Sequence, residues 1–90
     1  MKRYVIEREI PKIGSFATEQ LRDASKTSNS ALAQLAPRVQ WEHSYVAADK
    51  TFCVYLAEDE EAVRKHAEIS GFPANVITEI STIIDPTTAR

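Results

Sequence analysis

Two histidines, one cysteine and a few well-placed carboxylates are the side chains of this 90-residue chain with the chemistry to hold or activate a ligand. His43 lies in Trp41-Glu42-His43-Ser44-Tyr45, and Glu7 lies in Tyr4-Val5-Ile6-Glu7-Arg8. A glutamate–histidine pair can act as general base and orienter, or supply two ligands to a divalent metal. If Glu7 and His43 share a surface, Tyr45 and Trp41 join them, and these four are the candidate ligand-binding residues. A structural reading stands beside this one: Glu7 pairs with Arg8 or Arg3, and His43 fills an interface. His66 follows Val63 by three positions, which puts it near an apolar helical stripe. There it is either a satisfied core histidine or, with His43, a candidate metal ligand. No second histidine follows at i+4, so the helical metal-binding spacing is absent. Cys53, between Phe52 and Val54, is an apolar-flanked thiol with little thiolate character and hence a poor nucleophile. Ser28 and Ser30 lack a Gly-x-Ser-x-Gly elbow, and Glu58-Asp59-Glu60-Glu61 lacks the ligand alternation of a calcium loop. No residue is assigned a catalytic role.

Composition narrows the classes further. Eleven basic and 13 acidic residues give a net charge of −2, a balance that argues against a nucleic-acid module, which would normally carry a basic face. Two glycines cannot build a phosphate-cradling loop, and one cysteine forms no internal disulfide or Cys-x-x-Cys pair. At this length residues 1–90 are expected to close one core as a single domain. The apolar run Tyr4-Val5-Ile6 is too short for a secretory signal, and no stretch is long enough for a membrane span. With its lone thiol, the chain is expected in the cytoplasm.

The elements that must position these residues follow from periodicity. Arg3 to Ile10 reads as a strand ended by Pro11. A helix then begins near Thr18, capped by Thr18 or Ser15, and Leu21, Ala24, Ser28, Ala31, Leu32 and Leu35 form its apolar stripe until Pro37. Val39–Ala47 and Thr51–Ala57 read as a hairpin turning at Asp49-Lys50. Asp59 and Glu60-Glu61 open a second helix that Gly71 caps, with Val63, His66, Ala67 and Ser70 inward. Val76 to Ile84 alternates as a last strand, and Thr87 to Arg90 reads as a frayed tail.

The order β-α-β-β-α-β predicts an α+β, ferredoxin-like βαββαβ sandwich: a four-stranded antiparallel sheet with two helices on one face. Turning at Asp49-Lys50 sets Tyr45 opposite Val54 and His43 opposite Leu56. Trp41, His43, Tyr45, Phe52, Val54 and Leu56 then share the open face, while Cys53 and Tyr55 face the helices. So much exposed apolar surface predicts a homodimer formed through the open sheet faces.

Val39-Gln40-Trp41, Ser44-Tyr45-Val46, Phe52-Cys53-Val54 and Arg64-Lys65-His66-Ala67 through Gly71-Phe72-Pro73-Ala74 resemble a small bacterial ferredoxin-like family. It is classed as a domain of unknown function and includes a nickel-binding protein. The resemblance spans Tyr4 to Asp85 and implies a dimeric α+β domain in which His66 matches a helix-2 histidine and Cys53 a strand-3 cysteine. The nickel-binding branch also carries histidines on strand 1 and helix 1, where this chain has Glu7-Arg8-Glu9 and Ala24-Ser25-Lys26. The expected function is therefore a small dimeric binding protein holding a divalent metal such as nickel, or a small ligand, at the dimer cleft. The alternative is a small-molecule enzyme of the dimeric α+β barrel type, monooxygenase- or isomerase-like, using the same cleft residues.

Overall fold

A computed structural model of the chain describes residues 1–90. Strand β1 (Lys2–Glu9) leads through a short 3-10 turn at Ile13–Ser15 to helix α1 (Thr18–Leu35). The hairpin β2 (Val39–Val46) and β3 (Lys50–Ala57) follows, then α2 (Glu60–Ser70) and β4 (Val76–Ile80). The strands form one antiparallel sheet in the order β2-β3-β1-β4, the expected ferredoxin-like α+β arrangement. No helix is long and apolar enough to cross a membrane.

Alternation along the two central strands builds the core. Tyr4, Ile6 and Arg8 of β1 and Thr51, Cys53, Tyr55 and Ala57 of β3 are buried on the helix-facing side. Ser28, Ala31 and Leu35 of α1 and Ala62, Val63 and His66 of α2 close over them. Small residues on both helices let them lie close to the sheet, as the stripe of α1 predicts.

The termini of α2 match the sequence expectation. Asp59 accepts a hydrogen bond from the Ala62 amide at 2.9 Å, satisfying one of the unpaired first-turn donors. Gly71 ends the helix at φ 79°, a left-handed conformation that a side chain would strain. Helix α1 starts differently: Ala17 stands at the cap position, and the Gln20 side chain accepts from the Ala17 amide at 2.8 Å. Neither Thr18 nor Ser15 serves as the cap.

Three boundaries also differ from the periodicity. The hairpin turns over Ala47–Asp49, closed by the Ala47 amide donating to the Lys50 carbonyl at 2.9 Å. Asp49 is held outside the ladder, accepting from the Lys12 amide through its carboxylate and from the Ile10 amide through its carbonyl. Lys50 meanwhile pairs with Glu9 as part of β3. The register consequently slides by two residues, placing Tyr45 opposite Phe52 and His43 opposite Val54. Strand β4 stops at Ile80 because its partner β1 runs out: Ile80 already faces Arg3. The C-terminal tail coils into a 3-10 turn, Pro86–Ala89, with Asp85 accepting from the Thr87 amide at 2.8 Å.

The largest correction concerns Trp41. A bulge between Trp41 and His43 inserts Glu42 as an extra residue, so the alternation of β2 reverses there. Trp41 therefore pairs with Tyr55 and packs against the core, on the helix side rather than the open face. Glu42 turns to an ion pair with Arg3, 2.7 Å from Nε to Oε1.

Candidate functional site

The sheet keeps two sets of candidate residues apart. On its open face stand Val5, Glu7, Phe52, Val54, Leu56, His43 and Tyr45. His43 and Tyr45 are exposed and meet edge-to-face with ring centroids 5.1 Å apart. Glu7 pairs with neither Arg8 nor Arg3; its carboxylate accepts from Lys50 Nζ at 3.3 Å. Glu7 and His43 share this face, as expected, but β3 runs between their strands. Two strand spacings put them on the order of 10 Å apart, too far for a base–orienter pair within one chain.

The other set lies between the helices and the sheet, around a cavity of about 190 Å³. Arg8, Ser25, Ser28, Trp41, Ser44, Cys53, Tyr55 and Phe72 are among its walls, which are mostly apolar. Trp41 reaches it because of the bulge, and its indole Nε1–H donates to Ser44 Oγ at 3.0 Å. Cys53 sits in the wall with its sulfur 3.3 Å from Thr51 Oγ1.

Arg8 is the charged member of this cavity and is 2% exposed. Its Nη1 donates to the Pro73 carbonyl at 2.7 Å and reaches the Phe72 carbonyl at 3.5 Å, while Nη2 lies 3.5 Å from the Tyr55 hydroxyl. The guanidinium also stands 5.9 Å from the ring centroids of both Tyr55 and Phe72. The chain's ion pairs involve Lys2, Arg3, Arg38, Lys50, Arg64 and Lys65, and none includes Arg8.

His66 closes the far side of this polar cluster. Its Nε2 lies 3.2 Å from Ser28 Oγ and its ring 5.1 Å from that of Tyr55. Burial, assisted by the nearby positive charge of Arg8, lowers its pKa from 6.5 to about 4, and the Ser28 contact offsets part of this. The ring is accordingly neutral at physiological pH. Its Nδ1 has no hydrogen-bond partner. Burial likewise pushes the Tyr55 hydroxyl above its ordinary value, against the pull of Arg8.

These positions decide what each group can do. No three His, Cys, Asp or Glu side chains converge anywhere in the chain. His43 is on the open face and His66 under the helices, so the two candidate metal ligands do not share a site within one chain. Nickel needs several imidazole, thiolate or carboxylate donors in one coordination shell, and a single chain does not provide them. The helix-side cavity instead joins apolar walls to a few hydroxyls and one cation. The sequence raises Ser28 only as a nucleophile without an elbow and does not single out Arg8 for ligand binding, although the signal for Arg8 is there. Placing Glu7 on the open face puts Arg8, one residue on, among the helix-facing residues.

No curated protein matches this sequence. Among solved structures, the crystal structure of SCO4226 from Streptomyces coelicolor A3(2) superposes with a TM-score of 0.76 at 18% identity, covering 91% of this chain and 99% of that one. The shared fold is thus nearly complete despite distant sequence. The profile of the family described as nickel responsive protein SCO4226-like matches residues 4–80, from the first residues of β1 to the end of β4. This chain belongs to the SCO4226-like family of nickel responsive proteins.

Proposed function

We propose that the protein is a small dimeric binding module whose ligand is a small molecule held between α1 and the sheet. The observation that carries this is the cavity itself: about 190 Å³ of mostly apolar space with hydroxyls and one guanidinium in its walls. Ligand sites commonly combine apolar walls with a few convergent polar groups in this way. For scale, an apolar cavity of roughly 150 Å³ accommodates benzene, so a ligand body of about one ring fits. The ligand site thus moves from the open face, where Glu7, His43 and Tyr45 stand, to the opposite side of the sheet, where Trp41 stands.

The open faces serve a different purpose in this proposal: they pair two chains. Phe52, Val54, Leu56 and Val5 form a partly buried apolar strip, and Tyr45 is 62% exposed beside it. Covering such a strip with a second copy is the economical way to remove it from water. Nickel enters through the family description. Because no ligand set assembles within one chain, a nickel site here has to draw on two chains, and His43 is the histidine that the paired faces would contribute.

The sole tryptophan, Trp41, stands in the cavity wall and reports occupancy directly. Titrating a panel of one-ring fragments should change its emission saturably, and Ala24→Phe, which fills the cavity from α1, should abolish the response while retaining the fold. No response to any fragment, or an equal response in Ala24→Phe, would contradict the cavity as the site. Native mass spectrometry with added nickel addresses the metal: stoichiometric uptake by a dimer, lost in His43→Ala, supports a shared site, and a metal-free dimer opposes it.

A further inference from the structure

We infer that the cavity beneath α1 selects an anion, a small carboxylate with an apolar body of about one ring, and that Arg8 is its anchor. The inference rests on the cavity reading above and narrows it to a ligand class. Arg8 carries its charge wherever it sits, and it is almost wholly removed from water at 2% exposure. A buried charge is ordinarily paired, since the uncompensated desolvation is costly. Here no acidic side chain lies in the cavity wall or within ion-pair distance of Arg8. Compensation comes from two carbonyls, both approached by Nη1, and from the Tyr55 and Phe72 rings.

The guanidinium therefore keeps an unused edge. Nε donates to nothing in the protein, and Nη2 makes a single long contact with the Tyr55 hydroxyl at 3.5 Å. The Nε and Nη2 donors of an arginine lie side by side, which is the fork that a carboxylate accepts with both oxygens. The surroundings favour this over a phosphate. Only one cation is present, His66 is held neutral beside it, and the remaining walls are mostly apolar. A single negative charge on a compact apolar body complements that environment; a doubly charged, strongly hydrated group does not. Of the hydroxyls in the same walls, Ser25 and Ser28 are engaged with the Leu21 carbonyl and His66, whereas Ser44 only accepts from the Trp41 indole and has its own proton to donate to a second polar substituent on the ligand.

The competing role for Arg8 is structural, pinning the Phe72–Pro73 segment to the sheet through the carbonyls it already holds. Binding selectivity separates the two. Benzoate and its neutral near-isostere benzamide are titrated against the full-length protein, with Trp41 emission as the signal. A charge-assisted bidentate contact corresponds to at least about tenfold tighter binding of benzoate. In Arg8→Gln, which removes the charge and leaves a shorter neutral amide in its place, that preference should shrink to about twofold or less while benzamide binding persists. If Arg8→Gln fails to fold, the wild-type ratio decides alone. Equal affinity for the two probes would overturn the anion proposal and leave the cavity as a site for neutral ligands. Binding of neither probe, with no response to the wider fragment panel, would overturn the cavity reading as well.

Discussion

His66 shows most directly how a single side chain here couples burial to pH. Its pKa falls to about 4 in the folded chain against 6.5 ordinarily, so between those values the unfolded chain binds a proton that the folded chain does not. Stability from this group is complete above pH 6.5 and is lost as the pH falls toward 4. From pH 6.5 to about pH 5 the loss should be roughly 1.5 kcal/mol. Urea denaturation across that range should show the decline, and His66→Gln, which can still bond Ser28, should flatten it. An unchanged slope in His66→Gln would mean that other groups carry the acid sensitivity. At this scale the sequence was partly legible. The spacing from Val63 marks His66 as an inward residue, and inward it is. The role of Arg8 was harder to read, because arginine on a strand is usually solvated and nothing local reveals the two carbonyls it reaches across 64 and 65 positions.

Among the elements, α2 and β2 show opposite degrees of legibility. Helix α2 is fixed by local chemistry at both ends, and the sequence marks both: Asp59 with Glu60-Glu61 as an acidic start, which the structure refines to Asp59 as the cap, and Gly71 as terminator. Asp59→Ala should therefore cost about 1 kcal/mol by removing the acceptor for the Ala62 amide. Gly71→Ala should cost about 1 kcal/mol as well, because its Cβ meets no neighbour and the penalty comes from the left-handed backbone alone. Thermal or urea unfolding measures both, and a neutral Gly71→Ala would contradict the strain argument. Strand β2 is different. Its bulge at Glu42 arises from pairing with β3 and the Arg3 ion pair, which are non-local, so simple alternation puts Trp41 on the wrong face. The same alternation still places His43 and Tyr45 correctly, because they lie on the far side of the bulge.

For the whole molecule, the sheet divides the labour that the sequence assigned to one surface. Its helix side contains the cavity, and its open side carries the apolar strip proposed to pair two chains. Substitutions on the two sides should consequently separate. Val54→Lys, which places a charge in the strip, should yield a monomer by analytical ultracentrifugation with the Trp41 response to ligand retained. Trp41→Leu, which removes the fluorescent reporter, should leave assembly unchanged and weaken benzoate binding by roughly tenfold when read by isothermal titration calorimetry, the scale of losing one large apolar contact in a pocket. A wild-type chain that sediments as a monomer would contradict the pairing. The β-α-β-β-α-β order made the overall architecture legible from periodicity alone. The cavity was not, since it depends on the small residues of α1, the displaced Trp41 and the inward Arg8 meeting in space.

Ligand binding under α1 and ligand binding on the open sheet face predict different sets of perturbed residues. Amide chemical-shift mapping with benzoate separates them most directly, because one titration reports every residue at once. Shifts concentrated at Arg8, Ser25, Ser28, Cys53 and the Trp41 indole are the predicted result. Shifts concentrated at Glu7, His43, Tyr45 and Val54, with the α1 residues silent, would place the site on the open face and contradict the account.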